Sequence, residues 1–164
     1  GAESLLVLGG LSGSNFTVNS TAAATPLTID AGPGNDSVAV QNHSLNFDVT
    51  VIGGDGNDLL YVNTDNTGTA NVKLVGPEVF NSITINTGGK VSVVPMANES
   101  NVLRTTSLSI SGTGALDLAN NPMILDYSGA TPIDTVRSLM SSGYNNGAWN
   151  GAGIRASSAV KASA

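Results

Sequence analysis

Residues 53–61 read Gly53-Gly54-Asp55-Gly56-Asn57-Asp58-Leu59-Leu60-Tyr61. They fit the pattern G-G-x-G-x-D-x-U-x, in which glycines permit a tight turn, an acid faces into it and a large apolar residue opens the next strand. A second copy stands at Ala31-Gly32-Pro33-Gly34-Asn35-Asp36-Ser37-Val38-Ala39 and departs only at its first position. Gly32 and Gly54 lie 22 residues apart. The same step reaches Gly10 upstream and Gly76, Asn98 and Asn120 downstream. Gly and Asn best tolerate a left-handed backbone, so one turn geometry is expected at all six places.

Short apolar runs precede these turns: 5–8, 27–29, 49–52, 72–75, 93–96 and 116–118. Alternating pairs follow most of them: Phe16 and Val18, Val38 and Val40, Leu60 and Val62, Ile83 and Ile85, Leu108 and Ile110. Apolar residues at i and i+2 mark half-buried strands. The expected fold is all-β, a right-handed parallel β-helix or β-solenoid of about six rungs. The rungs span 5–26, 27–48, 49–70, 71–92, 93–114 and 115–127. The fourth is shifted by about one residue, with Val72 and Leu74 apolar in place of Asn71 and Lys73.

Composition agrees. Only 11% of the 164 residues are charged and 4% aromatic, while 40% are hydrophobic. A solenoid tolerates this because each rung buries a few small aliphatic side chains against its neighbours. The regular Val/Ile/Leu runs argue against disorder. The chain has no cysteine, which fits a secreted protein without disulfides and a cytosolic one equally. A net charge of −6, with six basic residues scattered singly, argues against a nucleic-acid partner. No stretch approaches the roughly 20 apolar residues that span a bilayer. Gly1-Ala2-Glu3 does not read as a signal-peptide start, so a mature product or an excised piece is expected.

The solenoid is expected over residues 1–127, and a different C-terminal part over 128–164. Thr131-Pro132-Ile133-Asp134 reads as a helix start, with Thr131 as N-cap. Ile133, Val136, Leu139 and Met140 then form one apolar stripe, and Gly143 is a natural stop, giving a helix over 132–142 that covers an end or flank of the solenoid. Residues 144–155 read as irregular and Gly/Asn-rich, and 156–164 as an extended or disordered tail.

Six of the nine aspartates fall between residues 30 and 65, around the two best turns. Hard oxygen ligands in a Gly-rich loop suit Ca²⁺, which makes Asp36, Asp55 and Asp58 candidate ligands. The plain alternative is that Asn-Asp and Gly are good turn formers. Glu78, at the equivalent turn of the next rung, is expected to be a solvated turn residue, the alternative being that it extends the ladder of acids. His43, the one histidine, reads as surface in a polar loop. Trp149 is expected to pack on the solenoid flank rather than on a sugar. Asn15-Phe16-Thr17 and Asn35-Asp36-Ser37 match the glycosylation pattern, as chance predicts in a chain so rich in Asn.

The nonapeptides resemble the calcium-binding repeats of haemolysin-type (repeats-in-toxin) secreted proteins. The resemblance is strong in two units and elsewhere extends only to turn position. It implies calcium between stacked turns, held by Asp36 and Asp58 with help from Asp55 and the carbonyls of Gly32, Gly34, Gly54 and Gly56. Family repeats recur every nine residues and place turns on both sides. Here one turn per 22 residues matches, so one side at most holds calcium. The segment from Leu116-Asp117-Leu118-Ala119-Asn120-Asn121 through Asp126-Tyr127 to Trp149-Asn150-Gly151-Ala152-Gly153-Ile154 is also similar to parts of large secreted surface proteins of planctomycete-type bacteria. That likeness implies an extracellular or cell-surface setting.

Parallel β-helices also host polysaccharide lyases and hydrolases, which need a cleft of paired carboxylates or of bases beside acids. Here Lys73, Lys90 and Arg104 stand apart from the turn acids in sequence, so an enzyme is not expected. Solenoid ends expose strand edges unless capped. Leu5-Leu6-Val7-Leu8 has no amphipathic cap before it, which predicts self-association there. The expected role is an extracellular structural subunit, stabilised by calcium, assembling into a fibre, surface layer or biofilm matrix. The alternatives are an adhesin or carbohydrate-binding passenger fragment with a polysaccharide partner, or a fragment of a polysaccharide-degrading enzyme.

Overall fold

A computed structural model describes residues 3–21, 25–41, 48–95 and 101–162. His43 and Asn98 lie outside these residues. The chain forms a parallel β-solenoid in which strands alternate between two sheets. The seven-stranded sheet stacks β1 (Leu5–Leu8), β3 (Leu27–Asp30), β5 (Val49–Ile52), β7 (Ala70–Leu74), β9 (Gly89–Val93), β11 (Ala115–Asp117) and β13 (Gly153–Arg155) in that order. The six-stranded sheet stacks β2 (Asn15–Val18), β4 (Ser37–Val40), β6 (Leu59–Val62), β8 (Glu78–Ile85), β10 (Leu103–Ile110) and β12 (Met123–Leu125).

Alternation along each strand sends one set of side chains inward, and the register lines these up as ladders. Val7, Ile29, Val51, Leu74 and Val93 form one ladder, and Leu27, Val49, Val72, Val91 and Leu116 another. Phe16, Val38, Leu60, Ile83 and Leu108 face them from the other sheet, beside Val18, Val40, Val62, Ile85 and Ile110. The central members are fully buried. Each fully buried aliphatic side chain contributes about 1.5–3 kcal/mol, so a thin core suffices when it is continuous.

The register bears out the 22-residue step for β1, β3 and β5, and the one-residue shift in the fourth rung, where Val49 pairs with Val72. Three expectations need correction. The fifth rung starts earlier than 93–96, because the left-handed Gly88 turns the chain directly into β9. The left-handed turn occurs at Gly32, Gly54 and Gly76 but not at Gly10, and at Ala119 rather than Asn120. The stretch read as irregular contributes β13, which pairs with β11.

The helix α1 runs Ile133–Tyr144, with Pro132 rather than Thr131 at its N-cap. It passes through Gly143 and stops at the left-handed Asn145. Gly143 is buried because the helix lies directly on β13: a Cβ there would sit 1.8 Å from the Ile154 carbonyl oxygen. Trp149 is half-buried and packs edge-on against Tyr144, the last residue of the helix, at 5.1 Å. Among the described residues no helix is long and apolar enough to cross a membrane.

Candidate functional site

The two best-matching nonapeptides stack as the corners joining β3 to β4 and β5 to β6. Each corner turns on left-handed glycines: φ is +80° at Gly32, +131° at Gly34, +88° at Gly54 and +145° at Gly56. The stack is too close for any side chain. A Cβ on Gly54 would lie 2.1 Å from the Gly32 carbonyl oxygen, and one on Gly56 would lie 1.6 Å from that of Gly34. The carbonyls of one turn therefore point at the next. Gly34 N–H donates across the gap to the Asp55 carbonyl at 2.8 Å, and Asn57 N–H to the Asn35 side-chain oxygen at 3.0 Å.

Inside the corner the aspartates form a ladder. Asp58 Oδ1 accepts the N–H of Asp36 at 2.8 Å, and Asp36 Oδ1 accepts the N–H of Ser14 at 2.6 Å. Each carboxylate thus satisfies a backbone donor one rung back, which strand pairing cannot reach where the chain bends. Both carboxylates are buried, at 1% and 0% exposure. Each leaves its Oδ2 buried with no hydrogen-bond partner. Stacked rungs put these like charges about 4.8 Å apart. Burial pushes the Asp58 carboxyl above the usual range; the bond from Asp36 N–H opposes this, and the charges of Asp36 and Asp55 add to it.

Asp55 points outward and is exposed. Of the three candidate acids, the structure places Asp36 and Asp58 on the inner ladder and leaves Asp55 on the rim. Among the described residues no group of three or more acids, His or Cys is placed to hold a metal ion by side chains alone. The unpartnered Oδ2 atoms and the stacked glycine carbonyls are hard oxygen atoms, the kind calcium takes as ligands.

Glu78 corrects the sequence reading. It is buried at 4% exposure, and its Oε2 accepts the N–H of Gly53 at 3.0 Å. Burial pushes its carboxyl up to about 7; the Gly53 bond opposes this, and the charges of Asp58 and Asp30 add to it. The cause is a change of corner. No glycine lies between Gly76 and Gly88, so the tight turn cannot recur, and β8 runs extended through the corner beside β10. Phe80 turns inward to fill the space, its ring 3.2 Å from where a Gly53 Cβ would be. Glu78, two residues earlier, shares its face. That alternation was the signal available in the sequence.

The basic residues stay away from this corner. Lys73 pairs with Asp48 at 2.8 Å and Arg104 with Asp126 at 3.0 Å, both partly exposed, and such pairs contribute about 0–1 kcal/mol.

The N-terminal end is the second candidate site. Leu5, Leu6, Val7 and Leu8 form β1, the terminal strand of its sheet, with Leu5 53%, Leu6 58% and Leu8 66% exposed. A depression of about 310 Å³ opens between the sheets there, lined by Leu5, Val7, Phe16, Val18, Leu27 and Ile29. The other end differs, because α1 covers β13. Beside it a groove of about 300 Å³ lies between β12 and the helix start, lined by Met123, Leu125, Tyr127, Pro132, Ile133 and Val136. Comparison with protein-family models, curated proteins and solved structures gives no match.

Proposed function

We propose that this chain is an extracellular structural β-solenoid subunit that self-associates through its N-terminal end into a fibre, surface layer or matrix. The observation that carries this reading is the asymmetry of the two ends. One sheet end is covered by α1 across β13, while among the described residues no strand pairs with the outer edge of β1, which exposed leucines flank. Unpaired edges of this kind template the addition of another strand. With the β13 edge covered, head-to-tail contact falls on the apolar groove beside β12. The extracellular setting rests on the resemblance to secreted repeat proteins.

A structural role also suits the acids. Asp36, Asp58 and Glu78 accept backbone N–H groups and so serve the stack itself. Calcium belongs to the same reading. Asp36 and Asp58 would hold it with the carbonyls of Gly32, Gly34, Gly54 and Gly56, while Asp55 adds negative charge at the rim. Bound there, the ion neutralises like charges that burial disfavours. Negative-stain electron microscopy of the purified chain, with calcium and after chelation, tests the assembly. Filaments or sheets are expected. Dispersed single particles at high protein concentration in both conditions contradict it.

A further inference from the structure

The outer faces of the two sheets differ in kind. The seven-stranded sheet turns Asp30, Lys73, Lys90, Asp117 and Arg155 outward. Across its first five strands the six-stranded sheet turns no charged side chain outward in the paired segments Asn15–Val18, Ser37–Val40, Leu59–Val62, 82–85 and 107–110. Register places Asn15, Ser37, Leu59, Ser82 and Ser107 in one outward column. Thr17, Ala39, Tyr61, Thr84 and Ser109 form the column beside it. Except at Leu59 and Ala39, hydroxyl and amide groups thus stand about 4.8 Å apart along the stack and about 6.7 Å apart across it, with the Tyr61 ring and Leu59 at the centre.

We propose that this outer face is a docking surface for a neutral polysaccharide lying along the solenoid axis. Charge complementarity selects the partner. These segments carry neither sign, and the exposed Arg104 of β10, outside them, is paired with Asp126 at 3.0 Å, so a polyanion finds no free cation here and a polycation no free anion. A second protein sheet is a poor occupant, because face-to-face sheet packing needs interdigitated apolar side chains. Eight of the ten positions carry hydroxyl or amide groups. A neutral polymer of sugars offers what this face can use: hydroxyls for Ser, Thr and Asn, repeating along one axis, and apolar ring faces for Tyr61, whose ring is apolar and whose tip is polar.

The test is depletion of the chain from solution by insoluble cellulose and by chitin, at low and high salt, for wild type, Tyr61→Ala, Thr84→Lys and the opposite-face control Lys73→Ala. Circular dichroism and melting check that each variant folds. The expected result is binding to at least one polymer, insensitive to salt, about tenfold weaker in Tyr61→Ala and in Thr84→Lys, and unchanged in Lys73→Ala. Absence of depletion by both polymers, depletion abolished by salt, or depletion that neither face variant weakens overturns the proposal. None of these outcomes touches the N-terminal edge, so the self-association reading stands or falls separately.

Discussion

The corners of rungs two and three and those of rungs four and five do the same job by opposite means. The first pair turns on left-handed glycines whose carbonyls stack on one another, with Asp36 and Asp58 collecting the stray N–H groups. The second pair has no stacked glycines, its left-handed Gly76 standing in open space, and runs β8 and β10 straight through, filling the corner with Phe80 and closing it with the buried Glu78. A glycine turn needs no filling but gathers unpaired carboxylate oxygen. An extended corner pairs its own backbone but needs a large side chain beneath it.

The largest break in this comparison is Phe80→Ala. It empties the extended corner and should cost about 3–5 kcal/mol, read by urea denaturation. A loss under 1 kcal/mol would mean that Phe80 does not fill the corner.

Next comes acid–base behaviour. Glu78 is raised in the folded state from 4.5 to about 7, so between those values the folded chain holds a proton that the unfolded chain releases. Stability is therefore full below about pH 4.5 and falls as pH rises to about 7, by about 3 kcal/mol from this group. Glu78→Gln should flatten that slope and make the variant the more stable of the two at pH 8. An unchanged slope assigns the pH dependence elsewhere.

Gly54→Ala strikes the other corner. A left-handed φ of +88° and a Cβ 2.1 Å from the Gly32 oxygen should cost about 2–3 kcal/mol. The same change at Gly76, also left-handed but with open space around its Cβ, should cost only about 1 kcal/mol. Equal costs would mean that stacking adds nothing to backbone strain.

The smallest effect is the ion. At tenfold above its dissociation constant, calcium should add about 1.4 kcal/mol to wild type and nothing to the double variant Asp36→Asn, Asp58→Asn. Calorimetric scans check this. No shift at millimolar calcium removes the ion from the account.

The two corners also differ in how much the sequence disclosed. A left-handed position in a tight stack admits glycine alone, so the first corner is spelled out in its residues. The extended corner hides its logic. Glu78 reads as surface until Phe80, two residues on, is seen to need burial. Gly153–Arg155 was illegible for another reason: three residues beginning with glycine carry no strand signal, and only pairing to β11 beneath α1 makes them one. The helix was visible from its stripe, whereas its burial through Gly143 depends on contact with Ile154 backbone that no local pattern contains.

All of these devices hold the stack together, and among the described residues none of them pairs the outer edge of β1. Sedimentation velocity across a wide concentration range, comparing wild type with the double variant Leu6→Lys, Leu8→Lys, tests that edge most directly. Both leucines are exposed, so the variant should fold as wild type does. Wild type should form concentration-dependent larger species and the variant should remain a single small one. Identical profiles for the two, whether both assembled or both monomeric, would contradict assembly through the N-terminal edge.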